Sequence, residues 1–234
     1  MVFLPPLTII APELRGYDKE QARLMAEMCI VVDKDDKQIG ADTKKSCHLM
    51  ENINRGLLHR AFSVFLFDSQ NRLLLQQRAS EKITFPDMWT NTCCSHPLNT
   101  MSELIEEDQL GARTAAQRKL QHELGIQADQ IPLDRFKFLT RIHYLAPSDG
   151  LWGEHEIDYI FFIKADVDVE QNSNEVRDIK YVTPGELRAM FEDPNIPMTP
   201  WFKLICKTFL FSWWERVDTI ESEKDTKTIH RLGF

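Results

Sequence analysis

The chain has 234 residues, 43% hydrophobic and 27% charged, with a formal net charge of −8, a length that suits one large domain able to bury roughly 70% of its unfolded surface. The acidic balance argues against a nucleic-acid surface, and no apolar run is long enough to span a bilayer. Five cysteines, odd in number and with Cys93 and Cys94 adjacent, argue against a disulfide framework and for a reducing compartment.

The first 16 residues are apolar but carry Pro5, Pro6 and Pro12, and their first cation is Arg15. A secretory leader needs basic residues ahead of its apolar run, so this segment reads as a tail or a strand lying on the core. Residues 28–33 form a β-rich run, 35–38 a turn and 39–42 a return. A second hairpin runs from 61–67 through Asp68-Ser69-Gln70-Asn71 into 72–78. Helical spacing over 111–124 turns Leu110, Ala116, Leu120 and Leu124 inward, with Gly125 as the C-cap. Residues 136–144 and 156–164 read as strands, and Thr183-Pro184 opens a short helix. Thr199-Pro200 opens a longer one through Trp214, with Thr as N-cap and Pro in the first turn. It is apolar nearly all round, so it should be mostly buried. Strands and helices mix without strict alternation, which favours an α+β sandwich over a doubly wound sheet.

Two short islands concentrate metal-binding side chains: Thr92-Cys93-Cys94-Ser95-His96-Pro97 and Trp152-Gly153-Glu154-His155-Glu156. A strand period of two puts Glu154 and Glu156 on one face and turns His155 away. Two carboxylates that close cannot both stay cheaply ionised without a cation. His48, His59 and His96 are natural co-ligands, and imidazole with carboxylate suits zinc, manganese or iron. The bland alternative is a set of surface charges and ordinary histidines. A structural zinc site is disfavoured, because no Cys-x-x-Cys pair occurs. A free cysteine is most often a buried hydrophobe, but the polar, turn-like setting of Cys94 suits a thiol tuned for acid or base work. Lys119 and Glu123 share a helix face. They form either an exposed ion pair or a carboxylate for Mg²⁺ beside a phosphate-gripping cation. Arg78 and Lys82 are either solvated charge or, with Lys44, a local basic pocket for a diphosphate.

Four strings together resemble the type I isopentenyl-diphosphate isomerase family, in its eukaryotic branch. They are Leu57-Leu58-His59-Arg60-Ala61-Phe62-Ser63, Thr90-Asn91-Thr92-Cys93-Cys94-Ser95-His96-Pro97, Trp152-Gly153-Glu154-His155-Glu156-Ile157-Asp158-Tyr159 and Thr199-Pro200-Trp201-Phe202. The resemblance implies a Nudix-like α/β/α sandwich with a mixed sheet: an extension over 1–24, a catalytic domain over 25–217 and a tail over 218–234. It implies isomerisation of isopentenyl diphosphate to dimethylallyl diphosphate through a tertiary carbocation, serving isoprenoid and sterol synthesis. It implies a small isoprenoid diphosphate as partner, no nucleic acid, no membrane span, and a monomer or weak homodimer. The address implied is cytoplasmic, with a peroxisomal pool left open although the C-terminus is not of the Ser-Lys-Leu type.

By the same resemblance, His48, His59, His96, Glu154 and Glu156 would hold one Zn²⁺ or Mn²⁺. Cys94 and Glu156 would be the acid/base pair, assisted by Tyr144, with Trp201 facing the reacting carbons. Glu123 and the Cys94 carbonyl would hold the Mg²⁺ that carries the diphosphate, and Lys44, Arg78, Lys82 and Lys119 would touch its phosphates. Trp213 and Trp214 would be a wall of the site or plain core.

Three positions depart from family patterns. Where the hydrolase box of Nudix enzymes carries Arg-Glu and then Glu-Glu, this chain reads Arg118-Lys119 and His122-Glu123, which favours an isomerase over the alternative, a Nudix diphosphohydrolase. Lys119 also stands where related isomerases often carry Arg, keeping the charge without the bidentate geometry. Asp87 replaces a common glycine, so its loop is expected to tolerate a side chain. A third reading is a non-catalytic metal- or diphosphate-binding module.

Overall fold

The computed structural model describes residues 11–233. The first ten residues of the expected tail or strand lie outside them. The rest of that segment is a single 3₁₀ turn, Pro12–Leu14, rather than a strand. It leads to α1 (Lys19–Leu24), capped by the Asp18 carboxylate. The hairpin β1 (Met28–Val32) and β2 (Gln38–Thr43) follows, then two short helices, α2 (Lys44–His48) and α3 (Met50–Asn54). The central region holds β3 (His59–Phe67), β4 (Leu73–Arg78), β5 (Trp89–Thr90), β6 (Cys93–Ser95) and α4 (Leu110–Leu124). After it come β7 (Lys137–Pro147), β8 (Gly153–Lys164), β9 (Val176–Val182) and α5 (Pro184–Glu192). The chain ends with α6 (Pro200–Ile205), α7 (Phe211–Trp214) and β10 (Ile229–Arg231).

β3 and β8 run parallel at the centre of a mixed sheet, with His59 beside Glu156 and Phe67 beside Lys164. β7 flanks β8 antiparallel, and β10 joins β7 in parallel, so part of the expected tail over 218–234 is a sheet strand. Both faces of β3 are covered. Phe65 and Phe67 pack with Trp201, Phe202, Trp213 and Trp214 on one side, while Phe62, Val64 and Leu66 pack with Ala115, Ala116, Leu120 and Leu124 of α4 on the other. A strand buried on both faces reads as a continuous apolar run, which is why 61–67 shows no polar alternation. The architecture is the expected α+β sandwich around a mixed sheet.

The expected hairpin of 61–67 with 72–78 survives only at its turn. β3 and β4 pair at Phe67 and Leu73 alone. The Asp68 carboxylate accepts from the amides of Gln70 and Arg72 and pins the turn. β4 then leaves to pair with β9 and β5, and β6 takes its place beside β3. This split in the sheet lets the end of α4, from one face, reach groups on the other. Gly125 caps α4 with φ +67°, and its amide donates to the Gln121 carbonyl. A Cβ there would lie 2.5 Å from the Glu170 carbonyl oxygen, so glycine is required by space as well as by φ.

The C-terminal helix follows its expected path but is interrupted by a π turn, Cys206–Leu210, between α6 and α7. It buries Trp201, Phe202, Ile205, Leu210, Trp213 and Trp214 and leaves Lys203 and Lys207 outside. Thr199 sits at the N-cap position without capping, because its hydroxyl is bonded to that of Thr90 at 2.8 Å. Thr183, by contrast, forms a full capping box with Glu186.

Candidate active site

α2, β3, β6 and β8 converge at one end of the sheet, and their polar side chains meet there. Period two along β8 places Glu154, Glu156 and Asp158 on one face, and His155 points to the other, where its Nδ1 bonds the Leu57 carbonyl. One donor atom from each of His48, His59, His96, Glu154 and Glu156 lies within 4.8 Å of all the others, and all five residues are buried. His96 Nε2 is 2.8 Å from Glu156 Oε1, and His59 Nε2 is 3.3 Å from the same oxygen. His48 Nδ1 donates to the Lys44 carbonyl at 2.6 Å, which leaves its Nε2 as a bare lone pair.

The donor set fits a divalent ion. His48 Nε2 and Glu154 Oε2 are 2.8 Å apart, yet neither makes a hydrogen bond. Both His59 nitrogens are likewise buried without a hydrogen-bond partner. Buried polar atoms are normally satisfied, and lone pairs that converge without bonding one another are aimed at a common point. Burial, with His59 and His48 alongside, holds His96 well below its ordinary value, in the neutral form that ligates metals.

Cys94, Tyr144, Glu156 and Trp201 line a cleft that this cluster also borders. The Tyr144 hydroxyl donates to Glu156 Oε2 at 2.5 Å. Burial pulls the Glu156 carboxyl upward, but the nearby His59 imidazole and the bond from Tyr144 hold it below its usual range. Burial pushes the Cys94 thiol up to about 12 against the opposing charge of Arg78. The Trp201 indole is fixed by Nε1 donating to Asn91 Oδ1 at 3.3 Å, and its ring lies 6.0 Å from that of Tyr144. Trp213 and Trp214 do not line the cleft; they pack in the core, Trp213 stacked on Phe209.

Lys44, Arg78, Lys82 and Glu123 line the same cleft. Arg78 is braced by donating to the carbonyls of Thr84 and Phe85, and its guanidinium lies 5.8 Å from the Trp201 ring. Glu123 accepts from Gln76 at 3.0 Å and from the Cys93 thiol at 3.5 Å, spanning the split between β4 and β6. Lys119 lies 3.1 Å from Glu123, and both are buried, so the exposed-pair alternative does not hold. Lys119 sits behind Glu123 and does not line the cleft.

Two acidic residues of this region were not singled out from sequence. Asp158 carries the same alternation as Glu154 and Glu156, so the pattern to find it was present. Burial, with Glu156 and Glu154 nearby, holds its carboxyl well above the usual range, and Ser63 donates to it at 2.8 Å. Glu175, in an aperiodic turn, gave no such signal. Asp87 adopts φ +61°, the region that suits glycine, and its carboxylate accepts from Ser80 and Arg177, each at 2.6 Å.

The NUDIX domain family matches residues 57–202. Isopentenyl-diphosphate delta-isomerase from Schizosaccharomyces pombe is 63% identical over 226 residues, covering 94% of this chain and 96% of its own. The enzyme of that name from Gibberella zeae is 62% identical, covering 92% and 86%, and isopentenyl-diphosphate Delta-isomerase 1 from Bos taurus is 54% identical, covering 92% and 96%. In fold, the chain is similar to the crystal structure of DR0079 from Deinococcus radiodurans, with a TM-score of 0.56 at 15% identity, covering 79% of this chain and all of that one. The chain is therefore an enzyme that belongs to the isopentenyl-diphosphate delta-isomerase family, built on a NUDIX domain.

Proposed function

We propose that the chain isomerises isopentenyl diphosphate to dimethylallyl diphosphate in isoprenoid synthesis, with Cys94 and Glu156 exchanging protons with the hydrocarbon end. The observation that carries this reading is that Cys94, Glu156, Tyr144 and Trp201 line the same cleft as the cations Lys44, Arg78 and Lys82. The alkene takes a proton from a group on one side, leaving a tertiary cation. The group on the other side then removes a proton from the adjacent methylene, and the released pair forms the new double bond. Each turnover therefore leaves one group short of a proton and the other with one extra, and the two must exchange before the next.

An alkene is a very weak base, so proton delivery depends on placement and a dry site. Tyr144 holds Glu156 in position through its 2.5 Å bond. The Trp201 π-face stabilises the cation by about 0.5–2 kcal/mol, worth roughly tenfold in rate. That is a small part of the barrier, so exclusion of water by the buried Tyr144 and Trp201 side chains has to contribute more. His48, His59, His96, Glu154 and Glu156 would hold one zinc or manganese ion. When bound, that ion supplies the positive charge that two adjacent carboxylates need and sets the acidity of Glu156. Glu123, with the Cys94 carbonyl, would hold Mg²⁺ on the diphosphate, and Lys44, Arg78 and Lys82 would meet its oxygens.

The hydrolase reading is weaker, because the buried Lys119 and the half-exposed His122 occupy positions where a hydrolase needs carboxylates. Incubation with isopentenyl diphosphate and Mg²⁺, followed by NMR, should show dimethylallyl diphosphate and no released phosphate. Phosphate release without isomer would overturn the assignment.

A further inference from the structure

Glu175 is buried, at 2% exposure, in the turn between β8 and β9, and it does not line the cleft. Its Oε2 lies 2.5 Å from Lys82 Nζ. Its Oε1 lies 3.9 Å from Lys119 Nζ and 3.8 Å from His122 Nδ1, with no hydrogen bond of its own. Lys82 and Lys119 come from separate parts of the chain, the loop after β4 and the middle of α4, and Glu175 is the carboxylate that contacts both.

The backbone around Glu175 joins the same elements. The Ala79 amide donates to the Glu175 carbonyl at 3.0 Å, anchoring the loop that carries Lys82. The Asn172 amide donates to the Glu123 carbonyl at 2.9 Å, anchoring the end of α4. Gln21 of α1, which lines the cleft, donates to the Asn174 side chain at 2.8 Å and to its carbonyl at 3.0 Å. The turn over 172–175 thus ties together three segments, carrying Gln21, Lys82 and Glu123, that line the cleft.

A buried ammonium group is stable only with a partner that offsets its lost hydration. At Lys82, burial and the charges of Lys44, Arg78 and Lys119 oppose protonation, and Glu175 supports it. We propose that Glu175 is the positioning residue of the diphosphate subsite, holding Lys82 directly, and Lys119 behind it, in place before substrate arrives. Glu175 makes no contact with the reacting carbons, so its effect falls on binding. The inference rests on the functional reading above, in which the cations of the cleft take the diphosphate.

The test is Glu175→Gln in the full-length enzyme, with steady-state kinetics on isopentenyl diphosphate and calorimetric binding of inorganic pyrophosphate with Mg²⁺. KM should rise at least tenfold with kcat within about threefold of wild type, and pyrophosphate should weaken in parallel. Combined with Lys82→Met, the loss should be smaller than the product of the two single losses. Glu175→Asp keeps the charge but withdraws it by one methylene, and should raise KM by less than Glu175→Gln does. It also serves if the glutamine variant does not fold. Wild-type KM and pyrophosphate affinity in the variants, or equal falls in kcat with KM unchanged, would overturn the positioning role while leaving the isomerase reading intact. A wild-type enzyme that neither isomerises the substrate nor binds pyrophosphate would remove both.

Discussion

At Cys94 the thiol is pushed up to about 12 by burial, so it stays protonated at neutral pH, while Glu156 beside Tyr144 is held ionised. The two proposed carriers thus rest in opposite protonation states, as a two-sided proton transfer requires. Cys94→Ala should lower kcat by about 10²–10⁴ and leave metal content unchanged by elemental analysis, because the thiol is outside the cluster. Glu156→Gln should lower kcat as far and also reduce metal content. Lys82 titrates near the working range. Burial draws it down to about 8, with Lys44, Arg78 and Lys119 adding to the fall and Glu175 opposing it. Its charge is present below that pH and lost above it. KM should therefore rise between about pH 8 and 10 with kcat nearly flat, and an alkaline KM profile that stays level would contradict this role.

Backbone shape at two glycine-like positions matters at the level of elements. Gly125 ends α4 two residues after Glu123, in a left-handed conformation tight against Glu170. Gly125→Ala should destabilise by about 1–2 kcal/mol or more, read as a fall in Tm of roughly 2–4 °C per kcal/mol. Asp87 stands at φ +61° where related isomerases commonly have glycine, and its bonds from Ser80 and Arg177 offset the backbone cost. Asp87→Gly relieves that cost and loses both bonds, so it should be neutral within about 1 kcal/mol, whereas Asp87→Ala keeps the cost and loses the bonds, and should destabilise by about 1–2 kcal/mol. The split between β3 and β4 has the larger consequence, since it brings Glu123 of α4 between Gln76 and Cys93 and so into the cleft.

On the scale of the whole molecule, the metal cluster joins α2, β3, β6 and β8, so an ion bound there braces distant parts of the chain. Stripping the ion with a chelator should lower Tm on the order of 10 °C if the ion was present at 1,000 times its Kd, equivalent to about 4 kcal/mol. Re-adding zinc or manganese should restore it. His48→Ala should abolish most of that restoration, since His48 contributes a lone pair to the cluster from outside the sheet. A Tm indifferent to chelation and to His48→Ala would exclude a resident ion.

The sequence by itself was enough for the local chemistry. The alternation Glu154-His155-Glu156 set which side chains share a face, Thr183-Pro184 marked the start of α5, and Gly125 marked the end of α4. These are effects of neighbouring residues, and a strand or helix period transmits them without any fold. The four family strings also carried the α+β sandwich. Tertiary structure alone decided how far the β3–β4 hairpin pairs, that Lys119 lies behind Glu123, that Thr199 bonds Thr90 instead of capping its helix, and that Glu175 touches Lys82 and Lys119. The Thr199–Thr90 and Glu175 contacts join residues tens of positions apart, and burial determines whether a charge is a solvated side chain or part of a working site.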